Sequence, residues 1–318
     1  MLELRVAMTA ATRLESTKQT SATAPLLIWS PVDVPANPRP AATVVVLRDS
    51  SAGPEVFMVR RHEGTAFMGG AHVFPGGRVD PRDEADVSWC DGILHARSQL
   101  PDMPAAEAIA YHVAAARELF EEAGVMLARD DDGAFVELAG AAVHDRFKQA
   151  RTAVHGGTTT MRELVAGQGL RLALDALVLF AHWVTPPIDT RQFDTRFFLA
   201  RVPPHQTPAH DDTETTHSDW IRPADAIAAS ARGEIVLPPP TFTTLRELEP
   251  FASVDAALTW AQKRRIVRRM PHLREEPSRR MLLLPGDPLH PDPPGDEPPI
   301  ETRFVFADGR WRPEREDA

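Results

Sequence analysis

The first sustained apolar run is the β-branched stretch Thr43-Val44-Val45-Val46-Leu47, followed by Val56-Phe57-Met58-Val59. Turn residues from Asp49 to Pro54 separate the two, which predicts a hairpin. Next comes FMGGAHVFPGGRVD, Phe67 to Asp80, too dense in glycine to sustain a helix and therefore strand and loop. The strongest helical pattern spans Ala105 to Ala123, with Pro104 just before it and Gly124 just after, the usual asymmetry of helix ends. At about 100° per residue, Ile109, Val113, Ala116, Phe120 and Ala123 form a core-facing stripe, and Glu118, Glu121 and Glu122 fall on the other side. Further helices are expected between 130 and 172, including Leu138 to Arg151. Strands follow at Leu177 to Val184, at Phe193 to Ala200 and up to Asp219-Trp220-Ile221. A helix should start near Pro223, with others at Thr241 to Leu248 and Val254 to Arg269. Residues 285–299 are proline-dense and read as extended, and Arg303 to Trp311 as a hairpin turning at Asp308-Gly309. This divides the chain into a flexible arm (1–40), a domain (41–235) with inserts at about 83–104 and 128–172, and a helical, proline-rich extension (236–318) packed on that domain.

Composition narrows the function classes. The chain has 318 residues, 43% of them hydrophobic, and a net charge of −10. A nucleic-acid footprint would be more basic, and the one basic run, Lys263-Arg264-Arg265 with Arg268-Arg269, reads as a solvated helix face. Cys90 is the only cysteine, so neither an intramolecular disulfide nor a Cys-based zinc cage is available. No apolar stretch approaches the roughly 20 residues of a membrane helix. Ala24 to Trp29 is too short for a signal-peptide core, and the terminal Glu-Asp-Ala matches no peroxisomal or retention signal. The expectation is a cytoplasmic protein without membrane or nucleic-acid partners.

The glutamates carry the chemistry. Residues 118, 121 and 122 stand at i, i+3 and i+4, so their carboxylates share one patch near a helix C-terminus, where the macrodipole disfavours negative charge. A divalent cation would relieve that repulsion, and Mg²⁺ prefers carboxylate oxygens. His210 and His217 read as loop residues, and Met68 and Met126 as core. Arg60-Arg61 suit either anion steering or an ordinary strand end.

AARELFEEAGVML, Ala115 to Leu127, resembles the core of the Nudix box in Arg117, Glu118, Leu119, Glu121, Glu122, Gly124 and Val125. FPGGRVD, with Gly76 and Gly77, resembles the glycine loop that opens the box. Counting from Gly77, the box's isolated acidic slot falls on Asp83, and Arg117 follows 34 positions later, an insert of roughly 26 residues. Such a loop costs closure entropy only logarithmically. Asp83 and Glu107 are the candidates for that slot. The interrupted box resembles the peroxisomal-type coenzyme A and acyl-coenzyme A diphosphatases and their bacterial relatives, as do HWVTP, RQFDTRFFLA, LPPPTFTTLREL and LLLPGDP.

The resemblance implies an α/β/α sandwich with a mixed sheet, Mg²⁺ or Mn²⁺, and hydrolysis of a small nucleoside-diphosphate-linked substrate. Coenzyme A or its thioesters come first, then ADP-ribose, dinucleotides or nucleotide sugars, and a non-catalytic regulator last. It implies a possible homodimer. Glu118, Glu121 and Glu122 would ligate metal, with Glu118 either third ligand or general base. Arg117 would hold Glu121, and the backbone of Gly76 and Gly77 would approach phosphate or metal. Glu214 is the favoured additional metal carboxylate, with Asp211 and Asp212 as rivals. Arg191, Arg196, His182 and Trp183 are candidates for the substrate cleft.

Overall fold

The β-branched run builds the longest strand of the computed structural model, which describes residues 37–64, 68–84, 87–187, 191–211, 214–292 and 298–314. In chain order the elements are β1 (Arg39–Ser50), β2 (Gly53–Arg61), β3 (His72–Val73), β4 (Gly76–Arg78), β5 (Cys90–Asp91), α1 (Ile93–Gln99), α2 (Ala105–Ala123), β6 (Ala128–Arg129), α3 (Ala141–His155), α4 (Met161–Gly167) and β7 (Arg171–Ala173). Then come β8 (Val178–Val184), β9 (Phe193–Arg201), β10 (Thr215–Ile221), α5 (Pro223–Arg232), α6 (Pro239–Leu248), α7 (Val254–Ala261), β11 (Arg268–Arg269), β12 (His272–Glu276), β13 (Arg279–Leu283), β14 (Arg303–Ala307) and β15 (Arg310–Glu314).

The main sheet runs β10-β2-β1-β9-β8-β11, with β3 added to β2 and β4 to β1. It is mixed: β1 and β9 run parallel, whereas β1 and β2 form the antiparallel hairpin. Both faces are covered, which explains why Val44, Val45, Val46 and Leu47 are all fully buried instead of alternating. On one face Val44, Val46, Phe57, Val59 and Phe198 pack against α2. On the other, Val45, Leu47, Val56, Phe180 and Leu199 meet Phe242 and Leu245 of α6, Val254 and Ala257 of α7, and Leu282 and Phe304 of a second sheet. That sheet, β12-β13-β14-β15, includes the expected hairpin turning at Asp308-Gly309. The layers are α/β/α. The two inserts pair with each other, since β5 from the first lies parallel to β7 from the second and β6 completes a three-stranded sheet.

Three expectations change. The helix from Val254 ends at Ala261, and Arg268–Arg269 become a strand beside β8. The basic run is therefore no solvated helix face. The side chains of Arg264 and Arg269 are 6% and 5% exposed and converge on Glu247 of α6. Arg264 also stacks on Phe180 and Trp260, and Arg269 on Trp183. Aromatic faces and a buried carboxylate outcompete water for these two cations; Lys263, Arg265 and Arg268 remain exposed. Residues 285–290, expected extended, close into successive turns, with the Asp287 N–H donating to the Leu284 carbonyl and the His290 N–H to that of Asp287. The proposed N-terminal arm lies outside the described residues up to 36, and β1 begins inside its last part. Among the described residues, no helix is long and apolar enough to cross a membrane.

Candidate active site

The site forms where β1 changes partners. Its C-terminal end, Leu47 to Ser50, pairs with β2, and Ala41 to Thr43 pair with β4. Between them the chain crosses at Phe74-Pro75, and the Val44 N–H donates to the Pro75 carbonyl at 2.9 Å. This brings the glycine loop down onto the last turns of α2. A Cβ on Gly76 would lie 2.4 Å from the Ala42 carbonyl, and one on Gly77 would lie 2.5 Å from the Glu118 carboxylate. Backbone contact therefore demands glycine at position 76, and at position 77 a side chain would displace the Glu118 carboxylate.

Arg117 organises the acids. Nε and Nη2 form a forked pair with Asp83, both at 2.9 Å. Nη1 donates to Glu118 at 2.8 Å and Glu121 at 3.1 Å, and Nη2 also donates to the Arg78 carbonyl at 2.8 Å. A guanidinium has five N–H donors, so these five bonds use all of them. Asp83, 3% exposed, thus meets Arg117 across the insert. Glu107 stays exposed in the first turn of α2.

The glutamates were expected on a face opposite the core stripe, yet Glu121 and Glu122 are 8% and 4% exposed. Loop and insert cover them. Burial raises Glu118 to about 7 against the opposing pull of Arg117. It raises Glu122 to about 8, helped by the Glu118 charge and opposed by the Gly76 N–H, which donates to Glu122 Oε2 at 2.9 Å. His155, at the end of α3, sits 3.5 Å from Glu121 Oε2. Buried carboxyl groups that resist ionisation on their own, beside a loop with no Cβ to fill the gap, suit a hard divalent cation, whose charge would offset the cost of ionising them. Among the described residues no three acids or histidines are gathered into a ready metal shell. Arg117 holds two of the glutamates and the glycine loop the third.

A cleft of about 650 Å³ opens over these groups. It reaches from Glu118, Glu121 and Glu122 to Trp183, Thr195 and Phe197 on the opposite face of the sheet, with Arg191 and Glu214 also on its lining. The far wall comes from the C-terminal extension: Pro238, Pro271, Leu282 and Trp311.

Two expected cleft residues are elsewhere. His182 and Arg196 face α2 and share Asp194, with the His182 contact at 2.8 Å, and Arg196 lies 5.1 Å over the Tyr111 ring. Successive strand side chains point to opposite faces. His182 therefore leaves the cleft that Trp183 enters, and Arg196 turns away from Thr195 and Phe197. Of the carboxylate rivals, Asp211 accepts from Glu214 N–H, Thr215 N–H and the Thr215 hydroxyl, which makes it a loop brace. Asp212 lies outside the described residues. Met126 is core, but Met68, at φ 53°, lines the cleft. Sequence reasoning missed His155 and the extension's wall, which have no local signature. Arg60-Arg61 suited either anion steering or a strand end, and of the two it is Arg61 that lines the cleft.

The family model described as the NUDT19 Nudix domain matches residues 91–248, from the first insert through α2 to the end of α6. A Nudix hydrolase from Alicyclobacillus acidocaldarius has the same fold, with a TM-score of 0.58 and 26% identity over 70% of this chain and 96% of that one. With the carboxylate helix under its glycine loop, the chain belongs to the Nudix hydrolases. Within them it is similar to the human acyl-coenzyme A diphosphatase NUDT19, 29% identical over 75% of this chain and 72% of that one. The Xenopus laevis protein of the same name is 24% identical over 78% and 74%.

Proposed function

We propose that the protein hydrolyses the diphosphate of coenzyme A and its acyl thioesters to 3′,5′-ADP and (acyl)phosphopantetheine, using Mg²⁺ or Mn²⁺. The observation that carries this reading is a cleft that joins buried carboxylates at one end to an apolar wall of Trp183, Leu282 and Trp311 at the other. Such a wall suits a pantetheine or acyl arm better than a second sugar. The names of the relatives point the same way.

A bound divalent cation supplies charge neutralisation and a more acidic water. Glu118, Glu121 and Glu122 are the residues that would hold it, with Glu214 as a further carboxylate on the lining. Water adds to one phosphorus, the bridging P–O bond breaks with its electron pair kept by the departing phosphate, and a carboxylate of the cluster accepts the water's proton. Arg117, saturated by protein acceptors, fixes the carboxylates and holds no substrate. Gly76 and Gly77 let the backbone reach the diphosphate. Trp183 and Arg191 border the bound substrate.

The test is product analysis of purified protein with each metal and a panel of coenzyme A, acetyl-coenzyme A, ADP-ribose, NADH and a diadenosine polyphosphate. The expected result is release of 3′,5′-ADP from the coenzyme A compounds, abolished by EDTA. Cleavage confined to ADP-ribose or a dinucleotide would refute the substrate assignment while leaving the Nudix site intact.

A further inference from the structure

Every N–H of Arg117 is spent on the protein, so the cation that grips the substrate's phosphates must come from another position. The other arginines on the cleft lining are Arg61, Arg78 and Arg191, of which Arg78 and Arg191 are exposed and Arg61 is half-buried.

Arg61 is the last residue of β2, and its backbone is tied on both sides. Its N–H donates to the Ala71 carbonyl at 3.0 Å, and its own carbonyl accepts from Gly70 at 3.1 Å. It follows Phe57 and Val59 on the face of the sheet that carries α2, so its side chain enters the cleft on the side of the glutamates. Yet the Arg61 Nε–H is buried without an acceptor, and among the described residues no acid forms an ion pair with the guanidinium. Arg60, one residue earlier, pairs with Glu63 at 2.8 Å. A buried donor left unmade is costly, and a planar guanidinium matches two phosphoryl oxygens at once.

We propose that Arg61 is the substrate's phosphate clamp: its guanidinium takes non-bridging oxygens of the diphosphate and steadies the charge that grows on the departing phosphate. The proposal rests on the diphosphatase reading only in needing a diphosphate; it holds whatever is attached to it.

The experiment compares wild type with Arg61→Gln and Arg61→Lys on whichever diphosphate the wild type hydrolyses. Binding of methylenediphosphonate, a diphosphate that cannot be hydrolysed, is measured alongside by calorimetry with Mg²⁺ present. Arg61→Gln should lose about tenfold or more in both kcat/KM and diphosphonate affinity, with Arg61→Lys between it and wild type, because an ammonium keeps the charge but not the fork. Because the Arg61 side chain pairs with no acid among the described residues, the thermal midpoint should also stay unchanged. Wild-type affinity and turnover in Arg61→Gln would overturn the proposal, as would a lowered midpoint with affinity intact, which marks a structural arginine. Failure of the coenzyme A assignment would show instead as a different substrate for the wild type.

Discussion

Replacing Glu122 by Gln should make the metal-free protein more stable at alkaline pH while destroying its activity. Glu122 is 4% exposed, and its carboxyl keeps its proton to about pH 8 in the folded chain against the ordinary 4.5. Between those values unfolding releases a proton. Stability is therefore fully present below the unfolded value and is lost as pH rises through the folded one. At about 1.36 kcal/mol per pH unit, the ceiling on this loss is about 5 kcal/mol. Local relaxation and water entry should reduce it to roughly 1–3 kcal/mol. Glutamine is isosteric and can still accept the Gly76 N–H that Glu122 Oε2 now receives, so the variant escapes the charge penalty without losing the bond. The assay is urea unfolding in EDTA from about pH 5 to about pH 9, a range chosen to span the window of lost stability. Wild type should weaken steadily across it, and Glu122→Gln should weaken much less. Adding Mg²⁺ should raise the wild-type midpoint more than the variant's, and turnover of the variant should fall by orders of magnitude. Parallel pH curves for the two proteins would refute the reasoning, because the buried carboxyl would then titrate alike folded and unfolded.

Other consequences follow from the same contacts. Asp83→Ala strands the Arg117 guanidinium that Asp83 now grips with two 2.9 Å bonds; breaking a buried pair of this kind should cost about 3–5 kcal/mol in denaturant midpoint, with turnover falling alongside. Gly77→Ala sets a methyl 2.5 Å from the Glu118 carboxylate, so kcat should drop at least about a hundredfold while circular dichroism stays native; near-normal kcat would mean that the loop and helix are looser than described. Arg269→Ala removes the cation stacked on Trp183 and one of the two arginines on Glu247. It should lower stability by about 2–3 kcal/mol and raise KM through the loosened cleft wall, and an unchanged KM would detach Trp183 from substrate binding.

The carboxylate helix was legible because everything that defines it is local. Apolar period, Pro104, Gly124 and the i, i+3, i+4 glutamates all lie within one segment, where backbone geometry alone relates the side chains. The same holds for the first hairpin and for the turn at Asp308-Gly309, which the structure reproduces. A 19-residue helix cannot disclose what covers it, however. The wheel showed three glutamates away from the stripe, and only the loop and insert folded over them turned that face into a buried site with raised pKa values.

The remaining decisions were tertiary. Asp83 and Arg117 stand 34 positions apart; counting from the glycine loop reached Asp83, with Glu107 as a further candidate, and only the meeting of insert and helix brings Asp83 onto Arg117. Strand alternation says that His182 and Trp183 part company but not which one faces the cleft, since that depends on what packs against each face of the sheet. The basic run looked like a solvated helix because its charges have helical spacing, whereas Glu247, Phe180 and Trp183 from other elements, with neighbouring Trp260, draw two of them inward. The make-up of the carboxylate helix could be read locally, because side-chain identity and short-range periodicity suffice for it. That Arg61 has no acid partner among the described residues, that Asp83 locks Arg117 and that the extension walls the cleft all depend on contacts between segments, which no local pattern encodes.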